Sequence, residues 1–229
     1  MAEESDSNRP PLRSYVLRTT RMSRLQRRSY EQLLPRYSVP YTGSLIDPQE
    51  VFPGINEFVA EIGFGMGEAT VVLAEKNPNT GYFGIEVHKP GVGKILSEIE
   101  KRNLENLLVI NHDAVEVFRD MIPPESLSGI HIFFPDPWPK KRHHKRRLIR
   151  APFLRLLLPA LRPRGYLYIC TDWEEYATEI LAACGATCGL HNEYGGFAEP
   201  QPWRPATKFE MKGKEKFHPI RELLFRKTP

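Results

Sequence analysis

"EFVAEIGFGMGEATVVLAEKN", residues 57–77, decides how the rest of the chain is read. Residues 57–62 form a short strand-like run, apolar except for Glu57 and Glu61. Gly63, Gly65 and Gly67 follow at alternate positions, and then "EATVVLAEKN" has the make-up of a helix. A strand, a glycine turn and a helix in that order open the type of sheet that binds ligands at the carboxyl ends of its strands. Glycine suits the turn because it accepts positive φ and lets a ligand approach the main chain closely.

The same rhythm continues downstream. Strand-like runs recur at "GYFGIEV" (81–87), "NLLVINHD" (106–113), "GIHIFFPD" (129–136) and "GYLYICTD" (165–172). Helix-like segments lie among and after them: "GVGKILSEIEKRN", "APFLRLLLPALRP" and "WEEYATEILAACG". Near-continuous apolar strands alternating with amphipathic helices predict an α/β fold, a mostly parallel sheet with helices on both faces. "PIRELLFRK", at 219–227, adds a further strand. Each of the five runs carries an acid at or near its end: Glu61, Glu86, Asp113, Asp136 and Asp172. One such acid is commonly a helix cap. Five along one edge predict a site rich in hydrogen-bond acceptors.

The chain has 229 residues, enough for one sizeable domain. Residues 1–50 read as a basic, loosely ordered arm punctuated by prolines, and residues 51–229 as the domain proper. The net charge of +4 is mild, but its distribution is not. Seven arginines and no acid lie between Arg9 and Arg28, and seven Lys or Arg and no acid between Lys140 and Arg150. Such clusters suit a polyanion or a membrane surface. The N-terminus lacks the apolar core of a signal peptide, and no 18-residue apolar stretch is present. Cys170, Cys184 and Cys188 form no Cys-x-x-Cys pair, which argues against zinc or a disulfide framework and for reduced thiols in the cytoplasm.

The glycine loop selects among cofactors. A dinucleotide fingerprint has Gly-x-Gly-x-x-Gly, whereas this loop is Gly-x-Gly-x-Gly followed by Glu68. Glu61 and Glu68 would repel a pyrophosphate and welcome a ligand bearing a cationic centre and an ammonium group, as S-adenosylmethionine does. Glu86 stands where an acid accepts from both ribose hydroxyls, and Asp113 where one accepts from the adenine amine. In "HIFFPDPWPKKRHHKRRLI" (131–149), Asp136 lies between Pro135 and Pro137, which restrict the backbone around it. Such rigidity suits a positioned carboxylate. The fourth strand of such a sheet usually lies beside the first, which turns Asp136 toward the reactive end of the cofactor. Trp138 offers a stacking face or plugs the loop, and the basic half of the stretch would hold a nucleic acid nearby.

"EIGFGMGE", "GIEVHKPGVGKIL", "IFFPDPWPKKRHHKRRL", "TDWEEYA" and "RPATKFEMKG" together resemble the bacterial tRNA (guanine-N7-)-methyltransferase family over residues 55–226. The resemblance implies the Rossmann-like class I methyltransferase fold and methylation of guanosine 46 in the tRNA variable loop from S-adenosylmethionine. It assigns cofactor contacts to Glu61, Glu86, Asp113 and Asp136, beside the loop glycines Gly63, Gly65 and Gly67, and the active-site role to Asp136. It implies substrate binding by Lys140, Asp172, Thr207, Lys208, Phe209 and Glu210. It also marks Arg142, His143, His144, Lys145, Arg146 and Arg147 as the RNA-interacting stretch. His143 and His144 lack metal-ligand spacing, so no metal is expected, nor a membrane or an obligatory protein partner. Two rival readings stand beside this one. The Pro-Asp-Pro-Trp run partly matches the Asp/Asn-Pro-Pro-aromatic loop of methyltransferases acting on exocyclic base amines, and a non-catalytic RNA-binding module could share the fold.

Overall fold

The computed structural model describes residues 14–15, 21–206, 210 and 219–229. A seven-stranded sheet runs through the middle of it. In chain order the strands are β1 (Glu57–Ile62), β2 (Thr80–Ile85), β3 (Leu107–Ile110), β4 (Leu127–Phe133), β5 (Leu161–Thr171), β6 (Leu190–Asn192) and β7 (Arg221–Lys227). Their spatial order is β3-β2-β1-β4-β5-β7-β6. The first five are parallel, and β7 runs antiparallel between β5 and β6. The chain order reverses at β1, and β4 lies against it, as the sequence predicts. The short β6 has no counterpart among the predicted strands.

Alternation along the strands divides the core in two, because successive side chains point to opposite faces. On β1, Phe58, Ala60 and Ile62 join one cluster with Val117, Phe153, Leu154 and Ile180. These belong to α5 (Ala114–Asp120), α6 (Ala151–Leu157) and α7 (Glu174–Gly185). Val59 joins the other cluster, with Leu73, Val92, Ile95 and Ile99 of α3 (Glu68–Lys76) and α4 (Lys89–Arg102). Glu61 follows Val59 by two residues and therefore faces α3 and α4.

Within residues 1–50, read from sequence as a loosely ordered arm, residues 24–37 form the 14-residue helix α1 (Arg24–Tyr37). Ser23 caps it reciprocally with Gln26, which satisfies two otherwise unpaired N–H groups. Tyr30, Leu33, Leu34 and Tyr37 lie on one helical face and pack into the α3/α4 cluster. The approach to α4 is close: a Cβ on Gly93 would stand 2.3 Å from the Gln26 carbonyl oxygen. Beyond α1 the chain continues along β3, with the Val39 amide donating to the Val109 carbonyl. Pro35 and the many arginines hide this helix from a composition reading, but its i, i+3, i+4, i+7 apolar spacing is present. The remaining short helix, α2 (Pro48–Val51), leads into β1. Among the described residues no helix is long and apolar enough to cross a membrane.

Candidate active site

The glycine loop leaves β1 with Gly63, Gly65 and Gly67 at φ of 74°, 59° and 76°. All three lie in the left-handed region, where a side chain is strained. The start of α4 presses on the loop so closely that a Cβ on Gly91 would come within 1.9 Å of the Gly65 carbonyl oxygen. Gly91 is therefore a loop-supporting residue absent from the sequence-based set, and the "KPGVG" that opens α4 is its sequence signal.

Glu86, the residue after β2, holds the loop from the other side. Its Oε2 accepts from the Gly65 amide at 2.9 Å, and its Oε1 accepts from the amides of Val87 and His88 at 2.7 and 2.9 Å. Asp113 serves as the N-cap of α5 through Oδ1, which accepts from the Val115 amide at 2.9 Å. It thus performs the bland capping role while also lining the cavity described next. Glu61 is only 2% exposed, and its Oε2 is buried without a hydrogen-bond partner. Burial pushes the Glu61 carboxyl up to about 8; the nearby Thr70 hydroxyl opposes the shift, and the charge of Glu86 adds to it. An orphaned acceptor in this position fits a ligand that brings its own donor.

Two cavities open at this edge of the sheet. One, of about 240 Å³, is lined by Glu86, His112 and Asp113. The other, of about 640 Å³, is lined by Glu61, Met66, Glu68, Asp172 and Trp173. They share Gly63, Phe133, Phe134, Pro135 and Asp136. Asp136 itself is exposed and borders both. The structure thus brings Glu61, Glu86, Asp113, Asp136 and Asp172 together around one cleft.

The loop carrying Asp136 is held in an unusual conformation. Phe134 and Trp138 have φ of 50° and 46°, a region costing bulky residues on the order of 1–3 kcal/mol each. Outside contacts sustain it. The Phe134 amide donates to the Cys170 carbonyl at 2.8 Å, and Arg147 Nε donates to the Pro137 carbonyl at 2.8 Å. Trp138 Nε1 donates to the Ser14 carbonyl at 3.1 Å, while the Arg146 guanidinium lies 5.2 Å from the centre of its ring. The indole therefore ties the loop to residue 14 and to the basic stretch.

That stretch forms a 3-10 helix, Lys141–Arg146, and its members do not share one orientation. Lys140, Lys141, Arg142 and Lys145 are exposed, and Arg146 is half-buried over Trp138. His143 sets its ring edge-on to Trp138. His144 faces α7, 3.7 Å from both Glu175 and Glu179. Arg147 departs most from the expected RNA-contacting row. Its side chain is 1% exposed, 2.6 Å from Glu179, with the guanidinium over the Tyr176 ring. Buried between acid and aromatic, it braces the Pro137 carbonyl and presents no charge to solvent.

Glu210 is also buried, and Arg204 holds its carboxylate at 2.7 and 3.2 Å. The same arginine reaches Glu222 on β7, which also accepts from the Tyr168 hydroxyl. Glu210 thus enters a buried ion cluster, while Thr207, Lys208 and Phe209 lie outside the described residues.

A family model described as a putative methyltransferase matches residues 56–223. A tRNA (guanine-N(7)-)-methyltransferase from Nitrosospira multiformis is 48% identical over 217 residues, covering 95% of each chain. One from Nitrosomonas eutropha is 49% identical over 222 residues, covering 97% of this chain and 99% of the relative. Among solved structures, a 16S rRNA methyltransferase superposes with a TM-score of 0.59 at 15% identity, covering 81% of this chain and 95% of that one, a likeness of fold alone. The ordered motifs, the cleft they build and the near-full-length identity place the chain in the tRNA (guanine-N(7)-)-methyltransferase family.

Proposed function

We propose that this protein methylates N7 of guanosine 46 in the variable loop of tRNA, using S-adenosylmethionine. One observation carries the reading beyond family membership: Asp136 borders both the cavity lined by Glu86 and Asp113 and the cavity lined by Glu61 and Asp172. A carboxylate at that junction could act on a cofactor held in one cavity and a base held in the other.

The acceptors fit the cofactor's donors. Glu86 and Asp113 suit ribose hydroxyls and the adenine amine, and the orphaned Glu61 Oε2 suits an ammonium group. When bound, S-adenosylmethionine supplies an activated methyl group and a neutral leaving thioether. Guanine N7 presents an in-plane lone pair and no proton, so no general base is required. Positive charge develops on the purine as the new bond forms. Asp136 orients the base and stabilises that charge, and Asp172 accepts from the base across the same cavity. Lys140 and the exposed cations of the basic stretch hold the RNA backbone.

Incubation with labelled S-adenosylmethionine and unmodified tRNA, followed by nucleoside identification, tests the reading. The expected product is 7-methylguanosine; 6-methyladenosine would support the exocyclic-amine rival, and RNA binding without cofactor affinity the non-catalytic one.

Glu86→Ala is expected to weaken cofactor binding by about 1.5–3 kcal/mol, since a bound hydroxyl pair loses its acceptor. The same substitution frees the Gly65 amide, so the loop should also become more mobile. Unchanged affinity by calorimetry would remove Glu86 from the ribose site.

Neutralising Lys141, Arg142, Lys145 and Arg146 together is expected to weaken tRNA binding and flatten its salt dependence. Each lost phosphate contact should reduce the log–log slope by roughly 0.7 to 0.9. Cofactor affinity should hardly change. An unaltered slope would make these residues a solvated face.

A further inference from the structure

A third cavity, of about 330 Å³, adjoins the one lined by Glu86 and shares Ser14, Tyr15, Asp113 and Leu148 with it. Four cations reach its wall: Arg119 from α5, Lys145 and the half-buried Arg146 from the basic turn, and Arg150 just before α6. Arg150 lies outside the 142–147 stretch. Its Nη1 donates to the Lys145 carbonyl at 3.1 Å, which folds its side chain back beside the turn.

The charge balance of this cavity is positive. Asp120 pairs with Arg119 at 2.5 Å and offsets most of its charge. Of the two acids in the wall, Asp113 caps α5 and Glu116 Oε2 stands 2.5 Å from His112 Nε2. Arg147 also touches the cavity, but Glu179 holds its guanidinium. Among the described residues, Lys145, Arg146 and Arg150 pair with no carboxylate. Three cations without an ion-pair partner outnumber the two carboxylates around this concave space, and the net positive field is one that a multivalent oxyanion satisfies.

We propose that this cavity is a phosphate subsite for the RNA backbone, with Lys145, Arg146 and Arg150 as its ligands. The inference rests on the RNA substrate proposed above and extends the contact surface past the basic turn to the start of α6. It also gives the basic turn a direction. Lys145 and Arg146 serve the hollow beside Tyr15 and Asp113, while Lys141 and Arg142 remain free to meet phosphates elsewhere.

The test measures binding of unmodified tRNA as a function of salt for the wild type, Arg150→Ala, Arg150→Lys and Arg142→Ala, with calorimetry of S-adenosylmethionine and thermal unfolding in parallel. Arg150→Ala should lower the log–log slope by roughly 0.7 to 0.9, which corresponds to about a four- to fivefold loss of affinity at 0.15 M salt. Arg150→Lys should restore the slope, because a lysine also neutralises a phosphate. Cofactor affinity and melting temperature should stay at the wild-type values, since Arg150 is exposed. If Arg142→Ala flattens the slope and Arg150→Ala does not, the RNA reading stands and the phosphate subsite is overturned. If neither variant changes the slope, the basic stretch does not contact RNA phosphates, and the subsite falls with it. If Arg150→Ala weakens binding only together with a lowered melting temperature and an unchanged slope, Arg150 is a packing residue and the subsite is likewise overturned.

Discussion

Asp136→Ala is expected to lower single-turnover methyl transfer at saturating cofactor by a factor of about a hundred or more. The expectation rests on the position of this carboxylate, which borders both halves of the cleft. It also rests on the loop that carries it, with Phe134 and Trp138 at positive φ on either side. Strain of that kind persists where surrounding contacts maintain it, and here they come from Cys170, Arg147 and Ser14. Asp136→Asn separates two roles of the carboxylate. If charge stabilisation dominates, Asn should lose nearly as much rate as Ala. If orientation dominates, Asn should retain much more, because its carbonyl oxygen still accepts from guanine. Affinity for tRNA should fall little in either variant, since the cationic contacts supply most of it. Transfer by Asp136→Ala at the wild-type rate would make the carboxylate structural and refute its catalytic assignment.

Glu61→Gln should change both stability and cofactor affinity, in opposite directions. In the cofactor-free protein burial holds the Glu61 carboxyl at about 8, against an ordinary value of 4.5. Between those two pH values the folded state binds more protons than the unfolded state, so stability falls as pH rises. The loss is on the order of 1.4 kcal/mol per pH unit within that window, reaching a few kcal/mol by pH 8. Glutamine stays neutral throughout. Glu61→Gln should therefore match the wild type near pH 5 and unfold at a higher temperature near pH 8. Cofactor binding should respond in the other sense, because only the ionised carboxylate complements an ammonium group. The wild type should release protons on binding S-adenosylmethionine, and the variant should bind it at least tenfold more weakly. Thermal unfolding from pH 5 to 8 and calorimetry in buffers of different ionisation enthalpy measure both effects. Equal pH slopes for the two proteins would show that Glu61 is already ionised in the empty cleft.

Local chain properties determined much of this molecule before any tertiary contact is considered. Strand period, helix period and the glycines at 63, 65 and 67 specify the α/β rhythm, because each depends on residues only a few positions apart. Parallel strands then bring their carboxyl ends to one edge, so Glu61, Glu86, Asp113, Asp136 and Asp172 were legible as neighbours from strand order alone. Side-chain direction and partnership were not legible. Arg146 and Arg147 are adjacent and alike in sequence, yet one lies over Trp138 and the other is buried against Glu179. The distinction depends on where α7 passes, which no local pattern records. The same holds for α1, whose apolar face gains its meaning only where Gly93 lets it approach α4. Glu61 is an acid like the other four in sequence, and its burial in the folded chain is the main cause of its raised proton affinity. Arg150 joins Lys145 and Arg146 at one hollow because the turn folds back before α6. Sequence determined which chemical groups reach the edge of the sheet; the packing of remote segments decided which of them stay charged, exposed and free to act.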